Sequence, residues 1–357
     1  MATVIVTGSG GLVGSASVAR FAAVGHDVVG VENDMRARFF GPEASTAATT
    51  RWLLETVPGF RHEEVDIRDA DGVMRVFERL GAAPAAVIHT AAQPSHEWAA
   101  SDPRADFEIN AVGTLNLLEA ARRVAPDAPF VFLSTNKVYG DRPNHLPLAD
   151  RGSRLELPED HRYFEGIDTS MSLDTTDHSL FGVSKASADL MVQEYGRAFG
   201  MPTVCLRCGC LTGPAHAGAR QHGFLSYLMR CVVTGEPYTV YGYDGKQVRD
   251  NLHAQDVVAA IEAFCREPRV AAVYNMGGGR ASNCSMREAI AACERIAGRE
   301  LRWMLDPRPR RGDHRWWISD LEPFRRDYPS WEQRYDLETT LHEIHDAIVE
   351  RWVSTAP

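Results

Sequence analysis

Three glycines at intervals of three, Gly8, Gly11 and Gly14, stand near the amino terminus in Thr7-Gly8-Ser9-Gly10-Gly11-Leu12-Val13-Gly14. That spacing suits phosphate chemistry. The first glycine permits a tight turn, the second lets backbone approach a pyrophosphate, and the third lets a helix pack close to a sheet. Glu32 follows as an acid placed to accept hydrogen bonds from a ribose 2′-OH. A carboxylate there repels a 2′-phosphate and favours NAD over NADP, while Arg36 and Arg38 close behind soften the preference. Dinucleotide binding is the reading these residues support; a plain strand–turn–helix unit is the alternative.

The elements that must hold these groups are legible around them. Val4-Ile5-Val6 is β-branched and apolar, as a buried parallel strand should be. A helix is expected over about 12–24, ended by Gly25, and a second strand over 26–31. A short helix (46–57), a third strand (60–65), a helix (70–80) and a fourth strand (85–89) follow. The small residues after the fourth strand, Thr90-Ala91-Ala92-Gln93-Pro94, suit either a surface pressed on a flat cofactor or a tight turn. Pro103 opens a long helix with apolar residues at helical spacing up to Val124, and 130–133 is a fifth, central strand. Residues 141–177 are polar and too long for a simple connection, so they are expected to cover an active site or join an interface. A helix (179–199) and a sixth strand (202–206) complete the alternation, which implies an α/β doubly wound parallel sheet. Ligands of such a sheet sit at the carboxyl ends of its strands. Beyond Gly213 shorter strands (238–241, 272–275, 301–304) lie among helices and read as a smaller lobe. The expected division is therefore 1–206, with a helix of about 254–266 returning to it, and 207–357 as mainly the smaller lobe.

Composition narrows the classes. The chain of 357 residues has 44% apolar and 24% charged residues, ordinary for a soluble enzyme. A formal charge of −10 argues against a nucleic-acid partner held by bulk electrostatics. Seven cysteines form no disulfide-like framework, thirteen histidines lack metal-ligand spacing, and no apolar run is long enough to span a bilayer. A reduced, cytoplasmic protein without a metal or a membrane partner is expected.

Motifs spread along the chain carry a family resemblance. They are TGSGGLVG (7–14), DIRD (66–69), HTAAQ (89–93), DFEINAVGTLNLLEA (106–120), LSTNKVYG (133–140), SKASAD (184–189), GKQVRDNLHAQDVV (245–258) and RRGD (310–313). In register over nearly the whole length, they resemble the extended short-chain dehydrogenase/reductases of the NAD-dependent sugar-nucleotide epimerase/dehydratase family. Asn136-Lys137 and the run Val31 to Arg36 resemble the CDP-tyvelose (CDP-paratose) 2-epimerases most. The resemblance implies a Rossmann domain binding NAD and a carboxyl-terminal lobe binding a nucleoside-diphosphate sugar. It also implies transient oxidation to a keto intermediate, and a homodimer by analogy with relatives.

Carried over residue by residue, it places NAD contacts at Gly8, Gly11, Leu12, Val13, Glu32, Asn33, Arg36, Asp66, Ile67, Ala91, Ala92, Gln93, Asn110 and Lys185. It places substrate contacts at Asn136, Cys210, Arg249, Arg310 and Asp313, with weaker support at Gln221, His222 and Gly223. Arginines suit a diphosphate because a guanidinium gives two parallel hydrogen bonds. Trp316 and Trp317 stack a base or sugar, or belong to the core. Thr135 takes the family's serine/threonine place and Lys185 its lysine place, but Phe181 stands where the family has its catalytic tyrosine. Phenylalanine has no proton to exchange. Lys185 with a lowered pKa, Asp177, His178, Tyr163, Cys208 and Cys210 are the alternative proton carriers weighed from the sequence. Three functions stay open: an epimerase, a dehydratase or other keto-intermediate enzyme of natural-product sugar metabolism, and a silent binding protein.

Overall fold

The structure, a computed structural model, describes residues 2–216 and 223–352. The chain begins with β1 (Thr3–Thr7), α1 (Leu12–Ala23), β2 (Asp27–Val31), α2 (Met35–Phe40), α3 (Ala47–Thr56), β3 (Phe60–Glu63), α4 (Ala70–Glu78) and β4 (Ala86–His89). Next come α5 (His96–Ser101), α6 (Pro103–Phe107), α7 (Gly113–Val124), β5 (Phe130–Thr135), β6 (Ala149–Asp150), β7 (Leu155–Glu156), α8 (Leu180–Phe199), β8 (Thr203–Cys208) and β9 (Cys210–Thr212). Then follow α9 (Phe224–Thr234), β10 (Tyr238–Tyr241), β11 (Val248–His253), α10 (Ala254–Arg266), β12 (Ala272–Met276) and β13 (Asn283–Ser285). Last are α11 (Met286–Ala297), β14 (Trp303–Asp306), β15 (Trp316–Trp317), α12 (Glu322–Asp327) and α13 (Leu337–Trp352).

Two units result. The first comprises 1–138, 179–207 and 257–274; the second comprises 139–178, 208–256 and 275–357.

In the first unit a seven-stranded sheet has the order β3-β2-β1-β4-β5-β8-β12. The order reverses at β1, between the halves that run outward to β3 and to β12. Such a reversal opens a crevice at the strands' carboxyl ends. Ile5 lies across from Val29 on one side and Val87 on the other, so β-branched side chains form continuous layers. These join Phe130, Phe132 and Cys205 in one buried core. Apolar runs on both faces are what a parallel strand covered by helices requires.

Two differences from expectation concern this unit. The strand over 272–276 is an edge of the main sheet beside β8, not a strand of the smaller lobe. The helix before it is only the first half of a returning β-α-β crossover, and the strand completes it. Residues 139–178, placed with the first domain on sequence order, belong to the second unit because their partners lie there. Ile167, for example, donates to the carbonyl of Ile318 (2.7 Å).

The long helix expected from Pro103 is interrupted. Glu108–Val112 winds as a wider π turn between α6 and α7. The wide turn presents Asn110 inward, where its amide donates to the carbonyl of Gln93 (3.1 Å), Asp106 Oδ1 (3.0 Å) and Ser184 Oγ (3.0 Å). Insertions of this kind mark functional segments.

A buried ion pair ties α8 to the sheet. Arg207 on β8 donates to both carboxylate oxygens of Asp189 on α8 (3.1 and 2.7 Å). The same carboxylate accepts from Ser134 Oγ on β5 (2.5 Å) and from Gln193 Nε2 (2.7 Å). Every charge there is answered, which is the condition for burying one.

The second unit contains a parallel β10–β14 pair and a small sheet in which β13 and β15 flank β11, with β9 also on β11. Its core gathers Leu225, Leu228, Met229 and Val232 of α9, Ile290 of α11 and Leu341 and Ile344 of α13. Trp316 and Trp317 are wholly buried, their indole N–H groups donating to Glu156 Oε1 (2.8 Å) and Ser319 Oγ (3.1 Å), so both are core residues. No disulfide joins any of the seven cysteines, and among the described residues no helix is long and apolar enough to cross a membrane.

Candidate active site

The glycine-rich loop leaves β1 in a left-handed turn at Gly8 (φ +66°), and the Gly11 N–H donates to the Gly8 carbonyl (2.9 Å). A Cβ at Gly14 would stand 2.0 Å from that same carbonyl oxygen, so only glycine lets α1 start here. Gly11 is the N-cap of α1, and no side chain caps the helix. The N–H groups of Leu12 and Val13 thus head a helix whose positive end faces the loop.

Beside it, the Glu32 carboxylate accepts from the backbone N–H of Gly10 (3.2 Å), Asn33 (2.9 Å) and Asp34 (2.9 Å). Asn33 Oδ1 accepts in turn from the Met35 N–H (3.3 Å). Arg36 is half-buried with its guanidinium over the Phe40 ring (5.1 Å), and burial lowers its pKa against the pull of Glu32. Asp66 is bound by its neighbour Arg68 through both carboxylate oxygens. Ile67 packs where Gly113 leaves room for it.

Across the reversal point, the loop after β4 presses on the glycine turn. A Cβ on Gly8 would lie 2.8 Å from the Ala91 nitrogen. The Ala91 N–H donates to Thr7 Oγ1 (3.3 Å), and half-buried Ala92 follows. Gln93 is fully buried, its amide held by the Ser95 carbonyl (2.9 Å) and Asp106 Oδ1 (2.6 Å). Gln93 and Asn110, expected against the cofactor, are therefore braces of this loop.

His89 was not singled out in the sequence, yet it stands between Thr7 Oγ1 (2.7 Å) and Thr114 Oγ1 (2.9 Å). Thr114 spends its hydroxyl proton on the Asn110 carbonyl (2.6 Å), so His89 must donate from Nε2 and accept at Nδ1. Burial, with Lys185 adding repulsion, drives its pKa down to about 3 and keeps the ring neutral. Burial likewise pushes the Asp106 carboxyl up.

Thr135 ends β5, and Lys185 rises from α8 beneath the same strand. The Thr135 hydroxyl accepts from the Lys137 N–H (3.2 Å) and faces the Asn136 amide oxygen (3.4 Å); Asn136 itself is buried. Lys185 Nζ donates to the Leu133 carbonyl (2.8 Å) and sits 4.1 Å above the Phe132 ring. Phe181 is buried one turn earlier on α8, its ring edge-to-face with His96 at 4.9 Å between centroids. His96 is a second residue the sequence reading passed over. Its signal was position: it opens α5 just past the carboxyl end of β4, where ligands of a doubly wound sheet bind.

In the second unit Arg249 pairs with Asp313 and donates to the Val248 carbonyl (2.7 Å). The Asp313 N–H donates to the Arg310 carbonyl (3.2 Å), and the Arg310 guanidinium lies over the Tyr241 ring (4.5 Å). The structure thus brings Arg249, Arg310 and Asp313 together, although more than sixty residues separate Arg249 from the other two in sequence. Cys210 is half-buried on β9 opposite Asn251, and Cys208 is buried. His178 is bonded through Nε2 to the Leu173 carbonyl (3.0 Å), the Asp177 N–H reaches Asp141 Oδ1 (3.0 Å), and Tyr163 is buried against His161. Gly223 is the left-handed N-cap of α9, while Gln221 and His222 lie outside the described residues.

Comparison with known proteins gives these features a context. The model of a family described as the NAD dependent epimerase/dehydratase family matches residues 4–277. CDP-paratose 2-epimerase of Salmonella typhi is 28% identical, over 96% of this chain and 98% of its own. dTDP-glucose 4,6-dehydratase of Haemophilus influenzae is 28% identical, over 97% of this chain and 91% of its own. Among solved structures, the UDP-glucose 4-epimerase of Thermus thermophilus in complex with NAD has a TM-score of 0.76 at 26% identity, covering 98% of this chain and 99% of that one.

Proposed function

Since the chain belongs to the NAD dependent epimerase/dehydratase family, we propose that it epimerises a nucleoside-diphosphate sugar through a transient ketone, with a CDP-deoxyhexose inverted at C2 as the leading case. The observation that carries this reading is the preserved pair of Thr135 and Lys185 at the end of β5 and on α8.

The first unit's residues fit NAD. The uncapped start of α1 suits a pyrophosphate, and the narrow turn of Gly8 and Gly14 admits no side chain that would fill the cradle. Glu32 is oriented by three backbone donors toward a ribose diol. When bound, NAD supplies a reversible hydride acceptor. Lys185 orients the ribose next to it and places a positive charge beside the reacting oxygen, which favours loss of the hydroxyl proton. Thr135 donates a hydrogen bond to that oxygen. Asn136 and Cys210 are assigned to the sugar. Arg249 and Arg310 take the diphosphate, which competes with Asp313 for the Arg249 guanidinium and releases that carboxylate toward the nucleoside ribose.

One observation favours a second reading. Phe181 has no exchangeable proton, so a protein that binds NAD and a sugar nucleotide without turning it over fits that position. Loss of general acid/base help slows a reaction by roughly 10²–10⁴-fold without abolishing it, and the retained Thr135 and Lys185 favour the active reading. A homodimer and a cytoplasmic location complete the proposal, the latter in keeping with seven cysteines and no disulfide.

The test is incubation with CDP-, UDP-, GDP- and dTDP-sugars in heavy water, followed by NMR. Inversion at the oxidised carbon returns the original hydride, so no deuterium enters there. Deuterium at a neighbouring carbon indicates chemistry next to the ketone, as in dehydration. Binding without turnover over the whole panel selects the silent reading.

A further inference from the structure

We propose that the outer edge of β14 pairs antiparallel with β14 of a second copy of this chain, joining two β10–β14 pairs into one four-stranded sheet. The inference does not rest on the catalytic reading.

β14 carries three consecutive apolar side chains in solvent: Trp303, Met304 and Leu305 are 41%, 62% and 40% exposed. β10 lies along one side in parallel register, Tyr238 beside Trp303 and Tyr241 beside Asp306. The Tyr238 N–H donates to the Arg302 carbonyl (2.9 Å) and the Gly242 N–H to the Asp306 carbonyl (2.8 Å). In a parallel ladder this phase turns the backbone of 302, 304 and 306 toward β10 and the N–H and C=O groups of Trp303 and Leu305 outward. Among the described residues no second strand lies on that side. An exposed apolar edge of this kind is a template for another strand.

The residues along the edge select both the occupant and the register. Centred on Met304, Trp303 of one copy faces Leu305 of the other, and the two exchange both backbone hydrogen bonds. The two-fold axis repeats that pair on its other side. Arg302 then faces Asp306, and beyond the strand ends exposed Glu300 faces exposed Arg308. The two central charges are already fixed beside the edge: Arg302 donates to the Gly235 carbonyl (2.6 Å), and Asp306 accepts from Arg308 of its own chain (2.7 Å).

Neighbouring registers fail. Moving every partner by two residues one way sets Glu300 against Asp306 and draws in Leu301, whose N–H is spent on Glu294 Oε1 (2.8 Å). Moving it the other way sets Arg302 against Arg308 and draws in Pro307, which has no N–H. A one-residue slip sets outward groups against inward ones. An unrelated peptide would have to reproduce this order of charges, whereas the chain is its own complement. The contact is isologous and closes on itself, so it gives a dimer rather than a filament.

The experiment is sedimentation velocity on the NAD-loaded full chain and M304K, with oxidative cross-linking of M304C and L305C. Wild type is expected to show a concentration-dependent association step. M304K sets like charges on the axis and should weaken that step at least about tenfold. Its thermal unfolding and NAD affinity should match wild type, because Met304 is 62% exposed. The two 304 positions would lie about 4.5 Å apart between Cα atoms, within disulfide reach, so M304C should form a covalent dimer. The two 305 positions would lie on a diagonal about 7–8 Å apart, so L305C should cross-link no more than the background set by the wild-type cysteines. M304K that assembles like wild type, or M304C that cross-links no faster than L305C, overturns the proposal. So does a wild type with no association step, which leaves the edge to a strand of another protein. Turnover of the sugar panel bears on none of these outcomes.

Discussion

Two arginine–aspartate pairs, one in each unit, use the same two residue types for opposite ends. Arg207–Asp189 has side chains only 6% and 0% exposed, and its carboxylate is wrapped by Ser134 and Gln193 as well. Arg249–Asp313 is more open, at 10% and 21%, and Asp313 is joined to Arg310 through the backbone. The first pair is a closed staple holding α8 to β5 and β8. The second is a half-open pair, which the proposed function assigns to a diphosphate that would replace the carboxylate. The lesson is that burial and the completeness of the partner set, rather than residue identity, separate a fastener from a binding group.

Breaking the staple gives the largest effect. D189N leaves the buried Arg207 charge uncompensated and is expected to destabilise the protein by about 3–5 kcal/mol, read by urea denaturation. The same experiment on Arg249→Ala should find near-wild-type stability. Instead, its CDP affinity, measured by calorimetry, should fall about 10- to 100-fold, because a charge-assisted bond is worth about 1.5–3 kcal/mol. NAD affinity should hold. Equal stability losses in both variants would erase the contrast.

His89 sharpens the comparison with a buried group kept neutral. Its folded pKa of about 3 lies below the unfolded value of 6.5. Between these values the unfolded chain binds more protons, so stability falls as pH drops below 6.5 and goes on falling to about 3. From pH 7 to pH 5 the loss is about 2 kcal/mol; in His89→Gln, denaturation at the two pH values should show a smaller difference. The smallest effect belongs to Glu32, an acid whose carboxylate accepts from three backbone N–H groups. Glu32→Gln should weaken NAD binding by about tenfold, near 1.4 kcal/mol, and narrow the preference over NADP, as fluorescence titration would show.

What could be read in advance follows the same division. The left-handed turn at Gly8 and the glycine-lined start of α1 were legible because they depend on local spacing and backbone freedom. Thr135, Lys185, Arg249, Arg310 and Asp313 were legible as motif positions, but their clustering required the fold. Gln93 and Asn110 were assigned outward, because the partners that turn them inward, Ser95, Asp106 and Ser184, sit on separate elements. His96 was invisible beside Pro94 and Ser95, since nothing local marks its packing on a residue 85 positions away. The place of β12 was hidden for a related reason. Strand order is a long-range property, and a five-residue strand after a helix suits either unit.

That last strand has a consequence for synthesis. β12 is the final member of the seven-stranded sheet, yet residues 208–256 of the other unit precede it in the chain. A nascent chain released after residue 207 therefore leaves β8 without its outer neighbour, although every residue of that strand is buried in the finished protein. No single cut yields a finished nucleotide-binding half, so gene fusions and truncations of this chain must keep residues up to 276 together.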